Sequence, residues 1–165
     1  MLSTLDMSIL EILYGDARTT AEDIATMTGH DLDEIRQSIA RLEREKIILK
    51  YPALINWDKT TTERVEAIIE VRVTPQRDQG FDAIASRIYR YEEVRSVYLM
   101  SGGYDLCVIV EARTMRQLAF FVAEKLSTLD SVISTATHFM LKKYKEDGVI
   151  FEGGDKPDNR LAVSP

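Results

Sequence analysis

Cysteine occurs once in these 165 residues and histidine twice. A single thiol forms no intrachain disulfide, and Cys107 sits inside the apolar run "LCVIV", so the chain suits a reducing cytoplasm. His30 and His138 lie far apart with no second cysteine, which leaves a zinc cluster without ligands. Apolar runs of about 18 residues are missing, and the start "MLSTLDMSIL" carries no basic stretch; neither a membrane span nor a signal peptide is expected. There is also no phosphate-cradling glycine loop and no nucleophile–base pair, so no catalytic residue, cofactor or metal is assigned. Basic residues are in deficit, 21 against 27 acidic, for a net charge of −6. Any nucleic-acid contact must therefore come from a local patch.

What is present falls into two rhythms. Up to about residue 46 the spacing is helical. Leu5, Ile9 and Ile12 or Leu13 make one stripe behind a Ser3/Asp6 cap. A second helix starts at Thr19 or Thr20, carries Glu22 and Asp23 in its first turn, and ends at Gly29. A third is capped by Asp31 and aligns Ile35, Ile39 and Leu42. "IILKYPALINW", with Pro52 inside it, reads as a short edge hairpin. Three short helices and a hairpin make a winged helix-turn-helix over residues 1–55. The polar stretch 56–64 carries no core and reads as a linker.

From there to residue 145 the order is strand, helix, two strands, helix, strand. The first strand is ended by Pro75, one helix buries Phe81, Ile84, Ala85 and Ile88, and the other buries Met115, Leu118, Val122 and Leu126. A βαββαβ order is the ferredoxin-like split βαβ sheet, so the fold class is α+β. In the last strand Ile133, Phe139 and Leu141 are assigned to one face, Ala136 and Met140 to the other. Helices cover one face of such a sheet, and apolar residues on the second face call for another copy of the chain. A homodimer follows. Residues 146–165, rich in Gly, Pro and Asp, read as a C-terminal tail.

The third helix is the candidate DNA reader. Asp33, Gln37, Ala40, Arg41 and Arg44 lie opposite its core stripe. Gln37 and Arg41 suit base edges, and Arg44 suits a phosphate. With Arg36 and Lys50 they form the candidate DNA-binding set, in a segment 35–50 that is locally +3. Equally, such charges can simply solvate a helix face. Residues 1–60 hold 7 basic and 11 acidic side chains, net −4, which favours binding by several copies together.

The stretch "MSGGYDLCVIVEA" raises a second question. Gly102 and Gly103 can bare backbone N–H groups, Asp105 offers a carboxylate, and Thr135 and Thr137 offer hydroxyls. Together with Met100, Ser101 and Tyr104 they match the two charges of a zwitterion. The plainer alternative is a glycine turn in which Tyr104 packs and Asp105 caps local amides. His138 reads as a hydrogen-bonded core residue, and Trp57 and Tyr51 as packing between wing and linker.

Taken in order, "LDMSILEILYGDARTTAEDIA", "IARLEREKII", "MSGGYDLCVIVEA" and "VISTATHFMLKKYK" resemble the Lrp/AsnC, or feast/famine, family of transcription regulators over about residues 4–145. The resemblance implies binding of double-stranded DNA by residues 1–55, and a ligand-sensing, oligomerising domain at 65–145. It further implies assembly as dimers and often octamers, and a small-molecule effector, an amino acid or related metabolite, held near the Gly-Gly-Tyr-Asp hairpin. Ser38 stands where the family commonly has arginine, and Lys46 where it commonly has glycine. The competing class is a metabolite-binding oligomer that acts on a protein partner without specific DNA binding.

Overall fold

The computed structural model describes residues 1–74 and 80–151, in two units, Met1–Ile55 and Asn56–Pro165. Pro75 and residues 152–165 of the tail lie outside the described residues.

In the first unit, α1 spans Thr4–Gly15, α2 Ala21–Thr28 and α3 Leu32–Arg44. Each is capped as its sequence demands. Ser3 Oγ accepts the Asp6 N–H at 3.1 Å while Asp6 accepts the Ser3 N–H at 2.7 Å, a reciprocal capping box. Thr20 accepts from Asp23 and Asp31 accepts from Asp33. Gly29 ends α2 with φ 71°, the left-handed conformation that favours glycine. Helices of 8 to 13 residues are marginal alone and hold through Ile9, Ile24, Ile35 and Leu42, all fully buried. Burial of each such side chain contributes about 1.5–3 kcal/mol.

The helix α3 closes in a Schellman motif. Ile47 N–H reaches Leu42 O at 2.9 Å, Lys46 N–H reaches Glu43 O at 3.1 Å, and Lys46 takes φ 60°. Beyond it, the expected hairpin does not form: among the described residues no strand lies between α3 and residue 65. "IILKYPALINW" has no glycine or Asn-Gly pair for a hairpin turn, and Pro52 removes a ladder donor at its middle. Ile48 packs against the helical core, while Leu49, Leu54 and Ile55 stay exposed.

The second unit opens with a single 3-10 turn at Trp57–Lys59. Then follow β1 (Val65–Val73), α4 (Asp82–Ile88), β2 (Val94–Leu99), β3 (Leu106–Ala112), α5 (Met115–Phe121) and β4 (Val132–Phe139). The strands form one antiparallel sheet in the order β2-β3-β1-β4, the ferredoxin-like arrangement. Alternate residues of the two central strands, Ala67, Ile69, Val71 and Val73 with Leu106, Val108 and Val110, meet Ile84, Ile88, Leu118, Phe121 and Leu126.

Several side chains differ from expectation. Met115 is 54% exposed, because it opens α5 just after the Thr114 cap and its first turn faces solvent. Residues Val122–Leu126 then widen into a π-helical turn, so Phe121 joins the core and Val122 is only partly buried. In β4 the register runs from Arg72↔Ser134 to Val73↔Val132, which makes Ile133 the extra residue of a bulge and leaves it 66% exposed. Leu141 lies beyond the strand end and is exposed. Residues 145–150, read as part of the tail or its border, form a small hairpin, β5 (Lys145–Glu146) and β6 (Val149–Ile150), turned by Asp147 and Gly148, both at positive φ.

The sheet face away from the helices is mixed rather than apolar. Ile68, Ile109, Cys107 and Ala136 alternate with Glu66, Glu70, Glu111 and His138. His138, far from being core, is 59% exposed on its side chain with Nε2 3.3 Å from Glu70 Oε1. Trp57 lies under the Arg64 guanidinium at 4.0 Å from its ring centroid, and Arg64 also pairs with Glu111.

Candidate nucleic-acid and effector interfaces

The exposed stripe of α3 consists of Asp33, Gln37, Ala40 and Arg44, one turn apart in succession. Among the described residues neither Gln37, Arg44 nor Lys50 holds a side-chain hydrogen bond or ion pair, so their polar ends are unspent. Arg36 is also exposed, but its Nη2 lies 2.6 Å from Glu22 of α2. That contact leans the guanidinium across the helix-turn-helix corner. Tyr51 reaches back to Glu43 at 2.8 Å, and burial, then the Glu43 carboxylate, push its hydroxyl up to about 12. The phenol stays protonated and fastens the extended segment to α3.

Arg41 behaves differently from its neighbours in sequence. Its Nη2 donates to Asp6 Oδ1 at 2.5 Å, and Nη1 lies 3.6 Å from Glu45. Asp6 is 1% exposed, the one buried charged residue among the described residues. The Ser3 amide, then the Arg41 guanidinium, hold its carboxyl down to about 2, against the opposing effect of burial. The sequence marks Asp6 as a cap. Nothing in its spacing reveals a partner 35 residues away, and an unmatched acid at an apolar-stripe position was the only signal.

In the second unit, residues 100–105 join β2 to β3. Asp105 stitches three strands together. Its N–H donates to Val71 O at 3.1 Å, its C=O accepts from Met100 N–H at 2.8 Å, and its Oδ2 accepts the Val73 N–H at 2.8 Å. That last amide lies past the end of the β1–β3 ladder, which stops at Val71↔Leu106. One carboxylate oxygen is thus committed to the fold. Gly102 at φ 156° holds a conformation that side chains rarely adopt. Gly103 has no such φ, and a Cβ built there meets nothing within 4 Å, so the turn itself does not require a glycine at 103.

Of the other proposed contacts, Met100, Ser101, Gly102 and Gly103 are exposed at the tip, and Tyr104 is partly buried. Burial, then the nearby Cys107 and Glu70, raise the Tyr104 hydroxyl above its ordinary range. Thr135 and Thr137 pair with Val71 and Ile69, on the helix-facing side of β4. Val71 lies between Leu106 and Thr135, so two strand spacings, about 10 Å, separate the threonines' strand from β3. The hairpin tip is therefore one cluster and the threonines are another. Thr135 Oγ1 lies 3.4 Å from Ser127 Oγ, just past the π-helical turn.

Comparison with known proteins places both units. A sequence model described as winged helix-turn-helix DNA-binding matches residues 2–48, and one for the Lrp/AsnC ligand binding domain matches 66–150. The chain is 53% identical over 165 residues to an uncharacterized HTH-type transcriptional regulator, YugG of Bacillus subtilis, covering 99% of each. Among solved structures it is similar to PH0061, with a TM-score of 0.76 at 22% identity, covering 91% of this chain and 99% of that one. It is also similar to the transcriptional regulator NMB0573 of Neisseria meningitidis in a complex with L-Met, with a TM-score of 0.70 at 22% identity over 88% of this chain and 94% of that one. At those identities the structures speak for the fold, while the sequence matches speak for descent. No helix among the described residues is long and apolar enough to cross a membrane. The chain belongs to the Lrp/AsnC family of DNA-binding transcriptional regulators, with a helix-turn-helix unit followed by a ligand-binding domain.

Proposed function

We propose that this regulator senses an amino acid or a closely related zwitterion at the β2–β3 hairpin, and that the ligand acts by biasing how copies of the second unit assemble. The observation that carries the reading is Gly103. The turn does not need a glycine there, and a side chain at 103 would project into open space, two residues before Asp105. Room for an incoming group is what its absence provides. Asp105 Oδ1 takes no partner among the described residues and remains able to accept from an ammonium group. The L-Met complex of the Neisseria neighbour supports an amino acid as the class of ligand. The threonines of β4 would contribute only from a second copy or a longer ligand.

Assembly starts from a homodimer through the outer sheet face, where Ile68 and Ile109 pair side by side and are half-buried in one chain. Octamers would be built from such dimers, and would set the spacing of the DNA-binding heads in the cytoplasm. Gln37 reads base edges and Arg44 takes a phosphate, with Arg36 and Lys50 as further phosphate contacts.

The test is a thermal-shift screen of amino acids at millimolar concentration on the wild type and on Gly103→Val. The valine variant is expected to fold, since its Cβ meets open space, and to lose the shift. A ligand that stabilises both proteins equally places the pocket elsewhere. The acidic balance of residues 1–60 keeps one alternative open, action on a protein partner. Selection of genomic fragments separates the two: no enriched sequence, with or without amino acids, would favour the partner.

A further inference from the structure

We propose that Asp6 and Arg41 are a positioning pair: Arg41 does not read DNA but clamps α3 to α1, and thereby sets which residues of α3 face outward. The proposal rests on the reading above that α3 is the helix that contacts DNA, and concerns how that helix is aimed.

Three observations converge. First, Arg41 lies on the α3 flank that turns toward α1, with Nη2 2.5 Å from Asp6 Oδ1. Its side chain is 33% exposed and half-buried, whereas Gln37 and Arg44 are exposed. Second, Asp6 is not free to release it. Oδ2 is held by the Ser3 N–H at 2.7 Å and the Ser3 hydroxyl at 2.8 Å, so the carboxylate is locked to the start of α1. An arginine that swung out to a base would leave this buried charge without its counter-ion. Third, the two helices touch otherwise through aliphatic side chains, Ile9 against Ile35 and Leu42 in one cluster. Aliphatic contacts resist separation but tolerate rotation of a helix about its axis. A directional guanidinium–carboxylate contact does not, because its geometry holds over only a narrow range of angles. The pair therefore fixes the azimuth at which Gln37, Ala40 and Arg44 are presented.

The experiment measures DNA affinity of the full chain for fragments selected from genomic DNA, as a function of salt and with each base pair varied, at a temperature well below unfolding. The variants are Asp6→Asn, Arg41→Met and the double variant Asp6→Leu/Arg41→Met. The double variant leaves no unpaired buried charge, so it folds even if a single variant does not. Affinity is expected to fall about tenfold in each, with the loss of preference spread over the base pairs that Gln37 and its neighbours read. The slope of affinity against salt should stay as in wild type, because no phosphate contact is removed. The double variant should be no worse than either single one. Wild-type binding by Asp6→Asn, or by the double variant, would overturn the proposal. So would a loss confined to one base pair in Arg41→Met, the mark of direct readout, or a slope reduced by about one, the mark of a phosphate contact.

Discussion

Replacing Lys46 by glycine should make the first unit more stable, although it deletes a side chain from a segment rich in cations. Lys46 is the residue after the cap of α3, held at φ 60° by two hydrogen bonds that close the helix onto Leu42 and Glu43. A left-handed conformation costs an L-residue about 1–2 kcal/mol relative to glycine. Glycine's greater freedom in the unfolded chain returns about 0.5–1 kcal/mol of that gain. The net expectation is about 0.5–1 kcal/mol of stabilisation, or about 3–6 °C in the melting temperature of a unit this small. The assay is scanning calorimetry of the full chain, with amide exchange of α3 to identify which transition moves. Lys46→Ala is the control, since alanine removes the same charge and keeps the Cβ that causes the strain. It should change the transition by no more than a few tenths of a kcal/mol. A glycine variant no more stable than wild type, or an alanine variant that gains as much as glycine, would refute the argument. The same geometry favours glycine, the residue that the family resemblance leads one to expect at 46, because the helix stop asks for a left-handed residue.

Asp105→Ala should destabilise the second unit by about 1–3 kcal/mol in urea titrations, because the Val73 amide loses its acceptor past the end of the β1–β3 ladder, while Asp105→Asn should recover most of that. Equal losses for both would mean the charge, not the acceptor, matters. The Asp6 carboxyl is depressed to about 2, so the stability it contributes is complete above its ordinary value near 4 and drains as pH falls from about 4 to about 2. In an acid titration followed by helix content, Asp6→Asn should show a shallower decline in that window; an unchanged profile would remove Asp6 from the account. Residues 61–150 alone should sediment as a dimer or larger, and Ile109→Lys should give a soluble monomer; a wild-type fragment that is monomeric at micromolar concentration would count against sheet-face assembly.

Much of this protein is local, and local physics is legible in order along the chain. Ser3, Thr20 and Asp31 each cap the helix that follows them, since a side-chain oxygen two or three residues from an orphan N–H needs no distant help. The alternation of Ala67, Ile69, Val71 and Val73 places one face of β1 in a core before any partner strand is known. Family membership was legible for the same reason, because its signature is a sequence of such local elements. What required the tertiary structure was the fate of polar groups whose partners lie far along the chain. Arg41 has the spacing of a DNA contact and turns instead to Asp6, because a buried carboxylate 35 residues away needs a counter-ion. Asp105 has the look of a free acid, yet the β1–β3 ladder stops at Val71↔Leu106 and its carboxylate satisfies the Val73 amide beyond that end. The apolar segment after α3 has strand composition but forms no ladder among the described residues, since a strand depends on a neighbour and a turn that composition does not supply. Helix caps and stripes are settled within a few residues; the direction of a long charged side chain is settled by whichever opposite charge the fold brings within reach.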